Sequence, residues 1–129
     1  MSLTFHPGPG AIVICDFSQG FRPPEMVKIR PVVVISPRRR TAQLVTVVPL
    51  SSVAPQPVEP WHYLLPPGAY PPARGDIFAK CDMVATVGLA RLDRVKAKID
   101  GRRVYEAYQL EPVELAGILA GVRAALGLA

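Results

Sequence analysis

Proline recurs along the whole of this sequence, from Pro7 to Pro112, fifteen times in 129 residues. Each proline removes a backbone N–H and clashes with the preceding helical turn, so a bundle of long helices is excluded. Disorder is excluded as well. Half of the residues are hydrophobic and the mean hydropathy is +0.25, far more buriable surface than a disordered chain carries. The length suits one domain of about 100–150 residues. That single domain spans residues 1–129, with no internal repeat or boundary, and is large enough to fold around a core without metal or disulfide staples. These limits leave a compact, loop-rich, mainly β domain.

The apolar runs fill in that outline. Pro7-Gly-Pro-Gly10 is a turn cluster ahead of a first strand over 11–17, where Ile12, Ile14 and Asp16 alternate with Val13, Cys15 and Phe17. Residues 18–28 read as a long polar and basic loop. The run 29–36 (IRPVVVIS) is the strongest strand signal, β-branched throughout its middle and buried on both faces. A basic turn, Pro37-Arg-Arg-Arg40, joins it to a third strand over 41–49 as an antiparallel hairpin. Eight of the prolines fall within 49–72, so the apolar piece 59–65 reads as a strand with irregular or edge-like flanks. Residues 75–83 and 84–89 add a strand or two, and 92–99 is a short basic run before a hairpin turn at Asp100-Gly101. At the far end Pro112, with acids beside it, starts a helix. Leu115, Ile118, Leu119, Val122 and Leu126 share one face of that helix, and Gly127 stops it.

The net charge of +5 is gathered into two stretches. The first holds Arg22, Lys28, Arg30 and Arg38 to Arg40 against Glu25; the second holds Arg91, Arg94, Lys96, Lys98, Arg102 and Arg103 against Asp93 and Asp100. Such clusters fit a polyanionic partner, nucleic acid or an acidic protein, and equally a solvated basic surface. Cys15 and Cys81 sit inside apolar runs without CxxC spacing or neighbouring histidines. They read as buried reduced thiols of a cytoplasmic protein rather than a zinc site. The first ten residues carry no signal-peptide pattern, and no apolar run reaches the length of a membrane span. GxGxxG, P-loop, GxSxG and HExxH patterns are all missing, so no cofactor or metal is expected; His6 and His62 are too few for a metal cluster or a conventional serine triad.

Polar residues at strand–loop junctions are the better lead. Arg30 stands before Pro31 at the start of the most apolar strand. Ser51 and Ser52 follow the third strand directly. Lys80 and Asp82 flank Cys81 and, being two apart in a strand, point to one face. In chain order, Gly10-Ala-Ile-Val-Ile-Cys-Asp-Phe17, Glu25, Lys28-Ile-Arg-Pro-Val-Val-Val-Ile-Ser36, Val48-Pro-Leu-Ser-Ser52 and Lys80-Cys-Asp82 resemble the ordered blocks of the PemK/MazF toxins of bacterial toxin–antitoxin pairs. The resemblance runs from about residue 8 into the C-terminal helix. It implies an SH3-like β-barrel with a C-terminal amphipathic helix, forming a homodimer in the cytoplasm. The implied activity is metal-independent endonucleolytic cleavage of single-stranded RNA through attack by the 2′-hydroxyl. A cognate antitoxin neutralises such toxins, and the pair binds DNA together. By the same resemblance Arg30 matches the catalytic arginine, Ser51 the position where many members carry threonine, and Asp82 the acid–base aspartate. Arg22, Glu25, Lys28, Ser52, His62 and Lys80 are the implied substrate-binding residues. Three positions depart from the pattern: Ala11 replaces an acid, Ser51 a threonine and Lys80 an arginine. Serine keeps the hydroxyl with a freer χ1, and lysine keeps the charge without the planar fork.

Each residue also has a structural reading. Arg30 is placed to form a salt bridge with Glu25 or Asp16, Ser51 to close a turn, and Lys80 to pair with Asp82. Trp61 and Tyr63 suit packing on the sheet as well as stacking on bases, with His62 between them as a candidate general acid. Arg38 to Arg40 suit a solvated hairpin tip. At the level of function the alternative is a non-catalytic barrel that binds nucleic acid or protein, either a degenerate toxin or a target poison. The gyrase poisons of this fold end in Trp-Gly-Ile, whereas this sequence ends Leu-Gly-Leu-Ala129 with its only tryptophan at position 61.

Overall fold

The computed structural model describes residues 3–39, 42–106 and 108–128, with the backbone alone at 97–99. Expectations that involve Met1, Ser2, Arg40, Thr41, Ala129 or the side chain of Lys98 lie outside the described residues. Among the described residues ten strands and an α-helix follow one another: β1 (Ala11–Asp16), β2 (Ile29–Val34), β3 (Leu44–Ser51), β4 (His62–Leu64), β5 (Phe78–Lys80), β6 (Ala85–Gly88), β7 (Leu92–Asp93), β8 (Val95–Ile99), β9 (Arg102–Glu106), β10 (Tyr108–Gln109) and α1 (Pro112–Leu126). All the pairings are antiparallel. The main sheet runs β10-β1-β2-β3-β5-β4, with β6 also on β3 and β7 also on β1.

Among the described residues this path does not close, since no ladder joins β4 to β10. The closed barrel expected from the sequence is therefore corrected to an open antiparallel sheet with one C-terminal helix. The reason lies in the proline-rich stretch: β4 and β5 are three residues each, and prolines flanking β4 supply no N–H to lengthen a ladder. The strand ends shift as well. β2 stops at Val34 rather than Ser36, because beyond it the contact to β3 passes through Ile35 N–H to the Thr46 carbonyl (2.9 Å) and Thr46 N–H to the Ser36 hydroxyl (3.0 Å). β3 begins at Leu44 and runs on through Ser51, which makes Ser51 a strand residue rather than one that follows the strand.

The middle of the sheet is buried on both faces, as the run of valines predicts. Ile12, Val33, Val48 and Leu50 point into one apolar cluster, which α1 covers through Ile118 and Val122. Val13, Cys15, Val32, Val34, Val45 and Val47 point into a second cluster on the other face. α1 starts at Pro112 and stops at Gly127, whose φ of 69° is the left-handed conformation that glycine adopts without strain. Its apolar stripe is only partly used, because Ile118 and Val122 are buried while Leu126 is exposed at the last turn. Two glycines let the helix come close to the sheet: a Cβ on Gly121 would meet Cys81 Sγ at 2.7 Å, and one on Gly117 would run into the Tyr63 ring. The turn between β8 and β9 is the expected Asp100-Gly101, both at positive φ (51° and 77°).

β5 and β6 act as one interrupted strand beside β3. Ala79 pairs with Leu50 and Ala85 with Val47, so residues 80–84 lie against only Val48 and Pro49. The extra length coils into a short 3-10 turn, Cys81–Met83, that rests on β3 and against α1. This turn overturns the expectation that Lys80 and Asp82 share a strand face.

Candidate functional site

The ladder registers bring four of the singled-out side chains onto one face. β2 and β3 pair Val34 with Val47, Val33 with Val48 and Val32 with Pro49. Continued by two residues, that register sets Arg30 opposite Ser51. Ser51 pairs with Phe78, Lys80 lies two residues beyond Phe78, and His62 pairs with Lys80. Cross-strand partners and alternate residues share a face. Arg30, Ser51, Lys80 and His62 therefore share a face in a diagonal row across β2, β3, β5 and β4, with Lys80 and His62 two residues off the rung of Arg30 and Ser51, at the edge of the second apolar cluster.

Within that row Arg30 is half-buried, and its Nε is fully enclosed with no hydrogen-bond partner. Neither of its expected salt bridges forms. The Asp16 carboxylate accepts the N–H (2.8 Å) and the hydroxyl of Ser18, which holds it below the usual carboxylate range, and Glu25 accepts the Arg22 N–H at 3.0 Å. An enclosed N–H without a partner costs about 1–3 kcal/mol, so the fold alone does not explain why Arg30 stands there. Ser51 is 5% exposed, and its Oγ accepts the Val53 N–H at 3.1 Å, the expected turn contact; its own O–H stays available to donate. His62 accepts the Glu59 N–H on Nδ1 at 2.9 Å, which leaves Nε2 as its other hydrogen-bonding atom. Trp61 and Tyr63, on the opposite face from His62, pack on the first apolar cluster as the packing reading expects.

Asp82 is exposed at the centre of the 3-10 turn, with no ion pair to Lys80 among the described residues. It shares a cavity of about 570 Å³ with Glu25, lined further by Phe21, Met26 and Met83. The loop 18–28 folds over to form the far wall of this cavity. Arg91 steadies that loop, donating to the Asp16 carbonyl at 3.0 Å while lying 4.9 Å over the Phe21 ring. Arg22, Lys28 and Ser52 are exposed; among the described residues Arg22 and Lys28 reach the cavity through backbone bonds, Arg22 N–H to the Glu25 carboxylate at 3.0 Å and the Lys28 carbonyl from Phe17 N–H at 3.3 Å. The cavity's apolar lining was not visible beforehand, because Phe21, Met26 and Met83 belong to loop and turn segments where no periodicity marks them.

Both cysteines are free and buried as expected. Burial pushes each thiol up to about 12; at Cys15 Arg91 pulls against that and Asp16 adds to it, and at Cys81 Asp82 adds to it. Both thiols should therefore ignore a disulfide reagent at pH 8 and react only once the chain unfolds. Stability carries the same signature. The folded thiols hold their protons above the ordinary value of 9.0, so the contribution is complete below pH 9 and is lost as pH rises from 9 towards 12. Thermal midpoints measured across that range should fall, and replacing both cysteines with alanine should flatten the fall.

Among the described residues no group of three or more His, Cys, Asp or Glu side chains is arranged to hold a metal ion, and no helix is long and apolar enough to cross a membrane.

Comparison with known proteins adds a family and a fold. The sequence model of a family described as PemK-like, MazF-like toxin of type II toxin–antitoxin systems matches residues 8–109. Comparison with curated proteins gives no match. Among solved structures, MazF from Deinococcus radiodurans superposes with a TM-score of 0.71 at 19% identity, over 96% of this chain and 99% of that one. An endoribonuclease from Mycobacterial species, solved in complex with its cognate antitoxin, gives 0.66 at 22% identity, over 95% and 97%. At such identities the likeness is one of fold.

Proposed function

The chain belongs to the PemK-like, MazF-like toxins of type II toxin–antitoxin systems, and on that premise we propose that it is an endoribonuclease that cuts single-stranded RNA without a metal ion. The observation that carries this reading is Arg30: a half-buried guanidinium with an enclosed, unpartnered Nε, in a row with Ser51, Lys80 and His62. A phosphate offers acceptors to the accessible part of this half-buried guanidinium.

In the proposed reaction the substrate's 2′-hydroxyl attacks the adjacent phosphorus. The O2′–P bond forms, the P–O5′ bond breaks, and a 2′,3′-cyclic phosphate and a 5′-hydroxyl result. Asp82 accepts the proton of the attacking hydroxyl. Arg30 neutralises the charge that builds on the phosphoryl oxygens through its two-pronged geometry, and the Ser51 O–H donates to one of them. The leaving 5′-oxygen takes up a proton, for which His62 and Lys80 are the donors on that face. Arg22, Glu25, Lys28 and Ser52 border the path of the strand. The whole chain, 1–129, acts as one toxin domain in which the open sheet and α1 correspond to the SH3-like barrel of such toxins. It works as a cytoplasmic homodimer held inactive by its own antitoxin. The relative solved with its cognate antitoxin supports that pairing.

Incubation of the purified chain with a long single-stranded RNA in EDTA tests the proposal. Fragments ending in 2′,3′-cyclic phosphate are expected at defined positions. RNA that is bound and stays intact would assign the chain to the non-catalytic alternative instead.

A further inference from the structure

The second basic stretch takes no part in the row that carries Arg30. Much of it folds into β8 and β9, which among the described residues pair only with each other, as a separate two-stranded sheet. Their register sets Lys96 directly opposite Tyr105. Val95 is buried on the first apolar cluster, so the neighbouring face, with Lys96, Arg103 and Tyr105, is turned outward. Tyr105 is 53% exposed, with the Lys96 Nζ 5.9 Å from its ring centroid. At the base of this hairpin a cleft of about 450 Å³ opens against the ends of β1 and β2. Arg91, Arg94 and Lys96 line it, together with Asp16, Asp93 and Ile29. The Asp16 carboxylate is engaged by Ser18, and Asp93 Oδ1 accepts the Arg94 N–H at 2.8 Å. Each of the three cations rests on an aromatic ring: Arg91 on Phe21 at 4.9 Å, Arg94 on Phe5 at 5.6 Å and Lys96 on Tyr105 at 5.9 Å.

We infer that this track, from the cleft to the outer face of the β8–β9 hairpin, binds the backbone of single-stranded RNA outside the step that is cut. The inference rests on the nuclease reading for the identity of its polyanion. Alternate residues of a strand lie about 6.7 Å apart, a step comparable to that between neighbouring phosphates of an extended nucleic acid. Cations at such steps beside an exposed ring match what a single strand offers, a phosphate and then a base face. An acidic polypeptide offers charge alone and gains little from Tyr105. The cleft lies across the end of the sheet from Arg30, because adjacent rungs of β1 and β2 point to opposite faces. Asp16 pairs with Ile29 and Cys15 with Arg30 on adjacent rungs of β1 and β2. A strand leaving Arg30 therefore has to turn around the end of these two strands to enter the cleft at Ile29.

The experiment measures binding in the full chain carrying Arg30→Ala, so that no turnover intervenes. Two labelled RNAs serve, one longer than about 16 nucleotides and one of about four. Lys96→Glu/Arg103→Glu should weaken the long RNA at least about tenfold and make the slope of log Kd against log salt shallower by about 1.4, two contacts at about 0.7 each. Affinity for the short RNA should stay unchanged. Tyr105→Ala should weaken the long RNA while leaving the salt slope as it was. A charge-matched control, Arg74→Glu/Arg123→Glu, should change little. Unchanged affinity for the long RNA, or an equal loss in the control, overturns the inference. So does a hairpin variant that keeps RNA and loses polyglutamate, which would give the track to an acidic protein. A wild-type chain that binds RNA through the hairpin and never cuts it refutes the nuclease reading and leaves this one standing.

Discussion

Arg30→Ala should reduce RNA cleavage by about 10²–10³-fold, the loss expected when a preorganised donor to a developing oxyanion is removed, and it should do so without lowering the thermal midpoint. The two halves belong together. Arg30 forms no salt bridge to Asp16 or Glu25, and its enclosed Nε is unpartnered, so truncation breaks no internal hydrogen bond of that nitrogen. It removes a buried group that lowers stability by about 1–3 kcal/mol as it stands. A structural arginine behaves in the opposite way, with activity following stability downward. Arg30→Lys should fall between wild type and alanine, because it keeps the charge and loses the planar fork that meets two phosphoryl oxygens at once. Cleavage and thermal unfolding measured on the same preparations decide the matter. An Arg30→Ala protein that cuts normally removes Arg30 from the chemistry, and one that loses activity and midpoint together makes it a structural residue.

Arg30 was legible in the sequence because a charge at the mouth of a β-branched run is anomalous whatever surrounds it. Its alignment with Ser51 was legible only once the β2–β3 register was known, since a hairpin with an irregular connection sets its own register. The bulge between β5 and β6 defeated the reading of Lys80 and Asp82. Period-2 reasoning assumes an unbroken strand, whereas Cys81 turns inward towards α1, donating to the Ile118 carbonyl at 3.4 Å, and Asp82 is carried out of the strand by the turn that forms there. The C-terminal helix was read from its Pro112 start, its apolar stripe and its Gly127 stop, all local signals. How closely it approaches the sheet depends on Gly117 and Gly121, and a pattern of apolar side chains is silent about glycine.

That silence has a measurable consequence at Gly117. A Cβ there would stand 2.7 Å from Tyr63 Cζ and 2.9 Å from Cδ1, closer than carbon atoms pack. The ring has little freedom to yield. Its strand is three residues long and held to β5 by the Tyr63–Ala79 pair, and the ring packs on the cluster beneath α1. Burial and the nearby Glu114 both raise the Tyr63 hydroxyl above its ordinary value, consistent with a ring hemmed in on the helix side. In an open helix Gly→Ala stabilises by about 1 kcal/mol; here forced overpacking of about 1–3 kcal/mol opposes it. Gly117→Ala is therefore expected to destabilise, and the sign is what tests the packing. Once Tyr63→Ala has removed the ring, the same Gly117→Ala change should stabilise by about the helix-propensity amount. Denaturant unfolding of the four proteins closes the cycle. A Gly117→Ala that stabilises in both backgrounds would mean that the helix does not sit on Tyr63 as described. The coupling reaches the site as well, because His62 is the next residue to Tyr63 and Cys81, against Gly121, is the next to Asp82. On the proposed reading a helix pushed off the sheet at Gly117 therefore disturbs His62 and Asp82 together, and cleavage by Gly117→Ala should fall by more than its loss of folded protein accounts for.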